Sequence, residues 1–177
     1  VTCFLTLPGR YLVHAPQTPF RAVSRRIYDP EERQRLREIV AALPDVRGGF
    51  IVRTAGAGAA ASAFEADARF LRRTWDAIER QIRETPAPGI LHSDLDLFLR
   101  SLRDAGEATM ERIVVDDERL FQAGLAYLRD LDSPLASRLK MHVAAESLFD
   151  ATGVATDVEK ALRPRVWLKS GGTIVIE

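Results

Sequence analysis

Apolar residues recur with helical spacing in two segments of the chain. The first segment opens with Asp29 and Pro30, and its apolar side chains fall on one stripe, formed by Leu36, Ile39, Val40 and Leu43. Aspartate is a favoured helix cap and proline is favoured at the first helical position. The sequence therefore predicts a helix that begins at Pro30 and ends near residue 43, with the stripe facing a core.

The second segment is longer and has the clearest helical pattern in the sequence. Its apolar residues recur at alternating spacings of four and three, at Phe64, Ala68, Leu71, Trp75, Ile78 and Ile82. Ser62 and Glu65 have the spacing of a capping box, which predicts the start of this helix. The helix should end in the segment that contains Pro86, Pro88 and Gly89, where we predict the boundary between two lobes.

Short runs rich in β-branched and aromatic residues predict the strands. They lie near residues 10–15, 50–53, 111–115, 138–143, 165–168 and 173–176. The last two flank the sequence KSGG and predict a hairpin. Further helices are expected near residues 94–105, 117–131 and 156–163. The alternation of strands and helices predicts an α/β (α+β) fold of two small lobes.

Composition and charge exclude several classes of protein. The 177 residues are 46% hydrophobic and 28% charged, and no apolar run approaches the roughly 20 residues that a membrane-spanning helix needs. The chain has one cysteine, Cys3, so no internal disulfide can form, and we expect a cytoplasmic protein. With 25 basic and 25 acidic residues, it does not hold nucleic acid by bulk charge alone.

Arg53 and Thr54 stand at the end of a predicted strand and are followed by a glycine-alanine loop. A guanidinium group offers a planar fork of donors that fits phosphate oxygens, threonine adds a hydroxyl, and glycines let backbone amides turn towards an anion. The pattern therefore indicates an anion site. It is equally typical of an arginine in a surface ion pair, and spacing alone does not separate the two interpretations.

The same loop matches a relaxed dinucleotide-binding pattern, with Gly56, Gly58 and Ala61 at the required spacing. That pattern also needs an acidic residue about 20 positions further on, at the end of the next strand. The acids at that distance, Asp76 and Glu79, lie within the long predicted helix. A connector between strand and helix is therefore favoured over a nucleotide-cofactor site.

The remaining candidate residues do not form a recognisable catalytic or metal site. The histidines are scattered and lack cysteine or acidic partners at metal-ligand spacing, which favours ordinary core or surface roles. Two acidic pairs precede predicted helices, where helix capping explains them without a metal. The histidines are His14, His92 and His142, and the acidic pairs are Asp94 with Asp96 and Asp116 with Asp117.

Several ordered motifs together resemble the ribonuclease E/G family of bacterial endoribonucleases. They are LPGRYLV, SRRI before an acid-rich helix, GGFIVRTAG, the helix with FLRRTWDAI, LRSLRD, ERIVVDD, SLFDATGV and VWLKSGGTIVIE. The resemblance covers essentially the whole chain. It implies a strand or linker next to an S1 domain at residues 1–8, a mixed-sheet 5′-sensor domain at 9–86 and an incomplete RNase H-like domain at 87–177. The chain begins and ends within strand-like runs, and we expect it to be part of a longer protein.

The resemblance also implies the roles of individual residues. In such proteins the arginine and threonine of VRTAG bind the 5′-monophosphate of single-stranded RNA, which are Arg53 and Thr54 here. The pocket rim would include Gly9 and Val13. The pair in SRRI, Arg25 and Arg26, would contact the RNA backbone.

For the longer protein, the resemblance implies a magnesium-dependent endoribonuclease of RNA processing and decay, and a homo-oligomer that shares zinc between subunits. The magnesium and zinc ligands would lie after Glu177, so we expect no catalytic residue, cofactor or metal site in this chain, and no metal role for Cys3. The alternative is a structural or oligomerisation module whose sensor is degenerate.

Overall fold

The computed structural model describes residues 4–44, 48–93, 95–105 and 110–175 of the chain. Cys3 and Asp94, considered above, lie outside these residues. The helices and strands follow in chain order: β1 Leu7–Pro8, β2 Leu12–Ala15, β3 Arg21–Val23, α1 Pro30–Ala42, β4 Gly49–Val52, α2 Ala61–Glu84, α3 Leu97–Asp104, β5 Ile113–Val115, α4 Glu118–Asp130, β6 Leu139–Met141, α5 Leu148–Ala151, α6 Val154–Ala161, β7 Arg165–Trp167 and β8 Thr173–Val175.

The first lobe is built on a four-stranded mixed sheet with the strand order β1-β2-β4-β3. Strands β1 and β2, and β2 and β4, pair antiparallel, whereas β3 runs parallel to β4. The register places Leu12 opposite Val52, and both side chains are fully buried. The predicted strands near residues 10–15 and 50–53 are confirmed. Strand β1 has only two residues, within the stretch expected to be a strand or linker, and β3, with three residues, was not predicted.

Helices α1 and α2 cover this sheet. Asp29 caps α1 as predicted, since its Oδ1 accepts a hydrogen bond from the Glu31 amide at 3.1 Å. The predicted capping box of α2 is wrong, because the helix begins at Ala61 and has Ala60 as its cap residue without a side-chain hydrogen bond. Ser62 therefore lies inside the first turn, and the chain enters α2 through backbone bonds such as Ala63 N to Ala60 O at 3.0 Å.

The core of the first lobe forms between the sheet and the predicted helix stripes. Its buried apolar residues come from all six of these elements and their junctions, and they are Leu7, Leu12, Val23, Ile27, Leu36, Val40, Leu43, Phe50, Val52, Phe64, Ala68, Leu71 and Ile78. The stripe of α2 is buried from Phe64 to Ile78 except for the partly buried Trp75, whereas Ile82 is 47% exposed because the last turn of the helix extends past the core.

The second lobe has its own core around a parallel pair of strands, β5 and β6. Helix α4 connects the two strands, and Asp117 caps it through the Leu120 amide at 2.9 Å. Asp96 caps α3 in the same way through the Leu99 amide at 2.8 Å. The buried residues of this core are Leu102, Val115, Tyr127, Leu128, Leu131, Leu135 and Leu139.

The C-terminal elements lie outside both cores. The β7–β8 hairpin forms around the predicted turn, with Val166 opposite Ile174, and α5 and α6 contain no buried residue. Large apolar side chains are therefore exposed here, including Phe149, Leu162 and Trp167. Within the described ranges, no helix has the length and apolar content to cross a bilayer.

The two lobes contact each other along α2. The rings of Phe70 and Tyr127 pack edge to face with centroids 5.8 Å apart, and Arg73 binds the Asp130 carboxylate at 2.9 Å. The α/β fold with a mixed sheet and two lobes agrees with the sequence prediction. The exact domain boundaries stay a prediction.

Candidate functional site

Arg53 lies where the first sheet ends. Its backbone amide donates to the Tyr11 carbonyl at 2.7 Å, which extends the pairing of β2 with β4 by one residue beyond Leu12 and Val52. The chain then turns into a short 3-10 helix, Thr54–Gly56. Arg53 is therefore anchored on a strand, which restricts the directions its side chain can take.

The Arg53 side chain is held through one of its three nitrogens. Its Nη1 donates to the carbonyl oxygens of Gly9 at 2.6 Å and Arg10 at 3.1 Å, and to Oδ1 of Asp104 at 2.8 Å. Its Nε and Nη2 make no hydrogen bond with the residues that the structure describes. The side chain is 26% exposed. Arg53 thus forms the ion pair that one of the two interpretations predicts, and the N–H groups of its Nε and Nη2 are not used within the described residues.

Thr54 is exposed, and its hydroxyl lies 3.2 Å from the hydroxyl of Ser24. Ser24 follows β3, and its amide donates to the Val52 carbonyl at 2.9 Å. Because β3 is parallel to β4, the ends of both strands meet at one edge of the sheet. Two hydroxyl groups and the Arg53 guanidinium therefore lie at the same edge.

Arg25 and Arg26 follow Ser24 directly and extend this edge. Both are exposed, and neither guanidinium forms a hydrogen bond or an ion pair within the described part of the chain. The Arg26 amide donates to the Ser24 hydroxyl at 3.3 Å, which holds the turn against the edge. Thr54, Arg25 and Arg26 thus lie around Ser24, whereas the Arg53 guanidinium is held on the β2 side of β4 at the same end of the sheet.

Gly9 and Val13, the predicted pocket rim, have different positions. Gly9 is buried, and its carbonyl is the closest acceptor of Arg53. Val13 lies within β2 opposite Ile51 and is half buried. Gly9 therefore helps to hold Arg53. Val13 is paired with Ile51, two residues before Arg53 on β4.

A buried carboxylate shapes the segment that holds Arg53. Asp67, on α2, is 2% exposed, and it accepts hydrogen bonds from the amides of Arg10 at 3.0 Å and of Tyr11 and Leu12 at 2.8 Å each. Burial raises the pKa of Asp67, against the opposing effect of these hydrogen bonds and of the Arg53 charge. Asp67 thereby fixes the backbone whose carbonyls bind Arg53.

Asp104, the last residue of α3, supplies the negative charge beside Arg53. Buried Arg103 binds both of its oxygens, with Nε to Oδ1 at 3.1 Å and Nη2 to Oδ2 at 3.0 Å. The hydrogen bonds from Arg103, and then those from Arg53, lower the pKa of Asp104. The carboxylate is therefore ionised at neutral pH and held in place by two arginines.

The glycine loop after Arg53 does not present its amides to a ligand. The amides of Gly56, Ala57 and Ala59 bond within the turn, and the Gly58 amide donates to Oε1 of Glu32 at 2.8 Å. Arg35 binds both Glu32 oxygens at 2.7 Å, and these contacts lower the pKa of Glu32 to about 2. The amides that a dinucleotide phosphate would need are already bonded, one of them to the Glu32 carboxylate. The structure therefore argues against a nucleotide cofactor at this loop.

A cleft of about 650 Å³ lies between the lobes next to this edge. Its walls include Arg10, Tyr11 and Asp67 from the first lobe and Asp104 and Ser133 from the second. Arg53 and Thr54 do not line it. The cleft meets the Arg53 site at Asp104, which contacts Arg53 and also lines the cleft.

The histidines do not converge on a site. His14 is 1% exposed and packs edge to face on Phe50 with centroids 5.0 Å apart, and burial lowers its pKa. His92 is exposed, and His142 bonds the Glu146 carbonyl at 2.8 Å. Among the residues that are described, no group of three or more histidine, cysteine, aspartate or glutamate side chains could hold a metal ion. We assign no metal to this part of the chain.

Comparison with known proteins identifies the family. The family model described as "Ribonuclease E/G family" matches residues 6–177. The chain belongs to this family. It is 34% identical over 177 residues to ribonuclease G of Escherichia coli K12 and, equally, to ribonuclease G of Haemophilus influenzae. It is also 33% identical over 180 residues to ribonuclease E of Escherichia coli K12.

Each of these ribonuclease E/G relatives is longer than the chain. The matches cover 100% of this chain, but 36% of each ribonuclease G and 17% of the ribonuclease E. The chain thus spans about a third or less of the length of these curated relatives. The family resemblance seen in the motifs is confirmed, while the roles of single residues stay predictions.

Sequence reasoning missed three residues of the site, Ser24, Asp67 and Asp104. Ser24 and Asp104 stand within motifs that the resemblance used, SRRI and LRSLRD, but nothing in either motif indicates their contacts with residues 30 and 51 positions away. Asp67 interrupts the apolar face of α2 between Phe64 and Ala68 and is buried there. A charged residue on a core-facing stripe was the one signal that could have found it.

Proposed function

We propose that this chain is the region of a ribonuclease E/G-type endoribonuclease that recognises the 5′-monophosphate of single-stranded RNA and supports the rest of the enzyme. Arg53 is the phosphate-binding group and Thr54 is its hydroxyl partner. Gly9 positions Arg53, Val13 borders the pocket, and Arg25 and Arg26 contact the RNA backbone. The expected setting is RNA processing and decay in the cytoplasm.

One observation carries this proposal, which is the way Arg53 is held. All three of its acceptors contact Nη1, so that the side chain is oriented without use of Nε and Nη2. These two nitrogens form one side of the guanidinium fork, which is the side that can bind two phosphate oxygens together. An oriented arginine loses less conformational entropy on binding, which favours a ligand at this position.

The surroundings of Arg53 also fit a nucleic-acid end. Thr54 follows Arg53 directly in the chain, its hydroxyl is exposed, and the Ser24 hydroxyl lies 3.2 Å from it. The guanidinium groups of Arg25 and Arg26 have no partner in the described ranges and can neutralise phosphates further along the RNA. Their contribution is electrostatic, so binding should weaken as salt rises.

Cleavage itself is assigned to the remainder of the protein. We propose no catalytic residue, cofactor or metal ligand in this chain. The magnesium dependence, the zinc and the homo-oligomer that the family resemblance implies are proposals for the full-length enzyme. The role of this chain there is to couple the state of the RNA 5′ end to a reaction that takes place elsewhere.

The proposal is tested by cleavage of one RNA sequence with a 5′-monophosphate or a 5′-hydroxyl end. For the full-length enzyme, the ratio of kcat/KM for the two substrates should favour the monophosphate. Arg53→Ala should reduce this ratio by roughly 10- to 100-fold, as expected for loss of a charge-assisted phosphate contact. Arg72→Ala is the matched control, since Arg72 is exposed on α2. A wild-type ratio near one would refute the proposal.

A structural module with a degenerate sensor is the second candidate. The contacts of Arg53 favour it, because they join the first lobe at Gly9 and Arg10 to the second lobe at Asp104. In that case Arg53→Ala would lower the free energy of unfolding but leave the kcat/KM ratio of the two substrates unchanged.

A further inference from the structure

Asp104 places a fixed negative charge beside the proposed phosphate-binding arginine. Its Oδ1 lies 2.8 Å from Nη1 of Arg53. A carboxylate and a phosphate are both anions, so any ligand that binds Arg53 must share the guanidinium with Asp104. The position of this carboxylate therefore affects which RNA ends can bind.

The Asp104 carboxylate cannot easily move away from the site. Arg103 binds both of its oxygens, and Arg103 is itself 6% exposed. Leu102, the preceding residue of α3, is 3% exposed and anchors the same turn. If Arg53 turned towards a ligand, Asp104 would keep its place on Arg103.

The repulsion from a fixed charge grows with the charge of the ligand. A 5′-hydroxyl end has no charge to repel, a monophosphate has up to two negative charges, and a triphosphate adds two further ionised groups. A unit charge about 6 Å away in a solvated site changes binding by roughly threefold for each ligand charge, and by more where water is partly excluded. Each added charge near Asp104 should therefore weaken binding further.

We propose that Asp104 is a specificity-determining residue of the 5′-end site, which limits the negative charge that the RNA end can bring to Arg53. Asp104 thus disfavours a 5′-triphosphate more than a 5′-monophosphate and has no effect on a 5′-hydroxyl. The inference rests on the proposed function of Arg53 as the phosphate-binding residue.

The test compares the affinities of the full-length protein for one short single-stranded RNA with three 5′ ends: hydroxyl, monophosphate and triphosphate. Asp104→Asn removes the charge and keeps an oxygen acceptor, and Asp104→Ser repeats the neutralisation with a smaller side chain. Asp104→Glu keeps the charge. Asp130→Asn is the matched control, because Asp130 also forms an ion pair between the lobes, with Arg73 at 2.9 Å, and does not contact Arg53.

Asp104→Asn should raise the affinity for the triphosphate end by roughly 30-fold or more and that for the monophosphate end by about tenfold, with no change for the hydroxyl end. The ratio of monophosphate to triphosphate affinity should fall in the Asn and Ser variants and stay near the wild-type value in Asp104→Glu and Asp130→Asn.

Two different results would overturn the inference. If the wild-type protein prefers the monophosphate to the hydroxyl end, but neutral Asp104 variants keep the wild-type ratio of monophosphate to triphosphate affinity, the inference fails and the proposed function stands. If both phosphorylated ends bind more weakly to these variants, Asp104 serves to orient Arg53. In that case the inference also fails and the proposed function stands. If the wild-type protein does not distinguish the monophosphate from the hydroxyl end, the proposed function itself fails.

Discussion

A methyl group on Gly9 would lie 2.5 Å from Oδ1 of Asp67. The missing side chain at position 9 is therefore what allows a helix residue to approach the backbone of the segment that holds Arg53. The same glycine accepts the hydrogen bond from Arg53 Nη1 at 2.6 Å. Packing within the first lobe and orientation of the candidate phosphate group thus depend on one small residue.

Gly9→Ala should disturb both the packing of the first lobe and the orientation of Arg53. The methyl group would push against a buried carboxylate, and overpacking of this kind costs about 1–3 kcal/mol in the free energy of unfolding. The preference for a 5′-monophosphate end should fall as well, because the Gly9 carbonyl moves. Urea unfolding and RNA binding measure the two effects. Gly172→Ala is the control, since its nearest contact for an added methyl is 3.8 Å away, and it should change neither quantity.

Asp67→Ala should destabilise the first lobe more strongly. It would leave the amides of Arg10, Tyr11 and Leu12 without their acceptor, and each buried donor left unsatisfied costs about 1–3 kcal/mol. Unfolding by urea measures this loss. Asp76 on the same helix is exposed, so Asp76→Ala should change the free energy of unfolding very little. Equal effects of the two substitutions would contradict the role given to Asp67.

Buried His14 should make stability depend on pH. Burial lowers its pKa in the folded protein, whereas the unfolded chain titrates near 6.5. Below that pH the unfolded state binds more protons, so the free energy of unfolding should decrease as pH falls from 7.5 to 5.5. His14→Leu should lose less stability over this interval than the wild type, and His92→Gln should behave like the wild type. A His14→Leu variant with the full wild-type pH dependence would exclude His14 as the cause.

Glu32 should protect the glycine loop. Its Oε1 accepts the Gly58 amide at 2.8 Å, so Glu32→Gln should speed hydrogen exchange at that amide because the acceptor loses its charge. The effect on global stability should be only about 1 kcal/mol or less, since the Glu32–Arg35 pair is near the surface. Glu31→Gln, on an exposed neighbouring residue, is the control. Unchanged exchange at Gly58 in Glu32→Gln would contradict this account of the loop.

The sequence predicted the elements that local interactions determine. The cap at Asp29, the stripes on α1 and α2 and the strands β2 and β4 depend on residues close in sequence, and the structure confirms them. Strand β3 was missed because three residues cannot show a period, and β1 falls within the stretch at residues 1–8 that was expected to be a strand or a linker. The start of α2 was misjudged because Ser62 and Glu65 have capping-box spacing, although the cap residue is Ala60 and the helix begins two residues earlier than that spacing predicts.

The candidate site could be predicted only in part, because its contacts are long-range. The family motif points to Arg53 and Thr54, and the structure adds Ser24 beside them. The link from Asp67 to the segment after Gly9 spans more than 50 residues, and the ion pair of Arg53 with Asp104 joins two lobes. Neither periodicity nor propensity can predict such pairs, because the first forms only when α2 packs on the sheet and the second only when the two lobes meet.

The most direct test of the 5′-end site is a crystal structure of the full-length protein with a short 5′-monophosphorylated single-stranded RNA. The account predicts terminal phosphate oxygens within hydrogen-bond distance of Arg53 Nε or Nη2 and of the Thr54 hydroxyl, with Gly9 still accepting from Nη1. A terminal phosphate bound elsewhere, with Arg53 still paired to Asp104 and in no contact with the RNA, would contradict it.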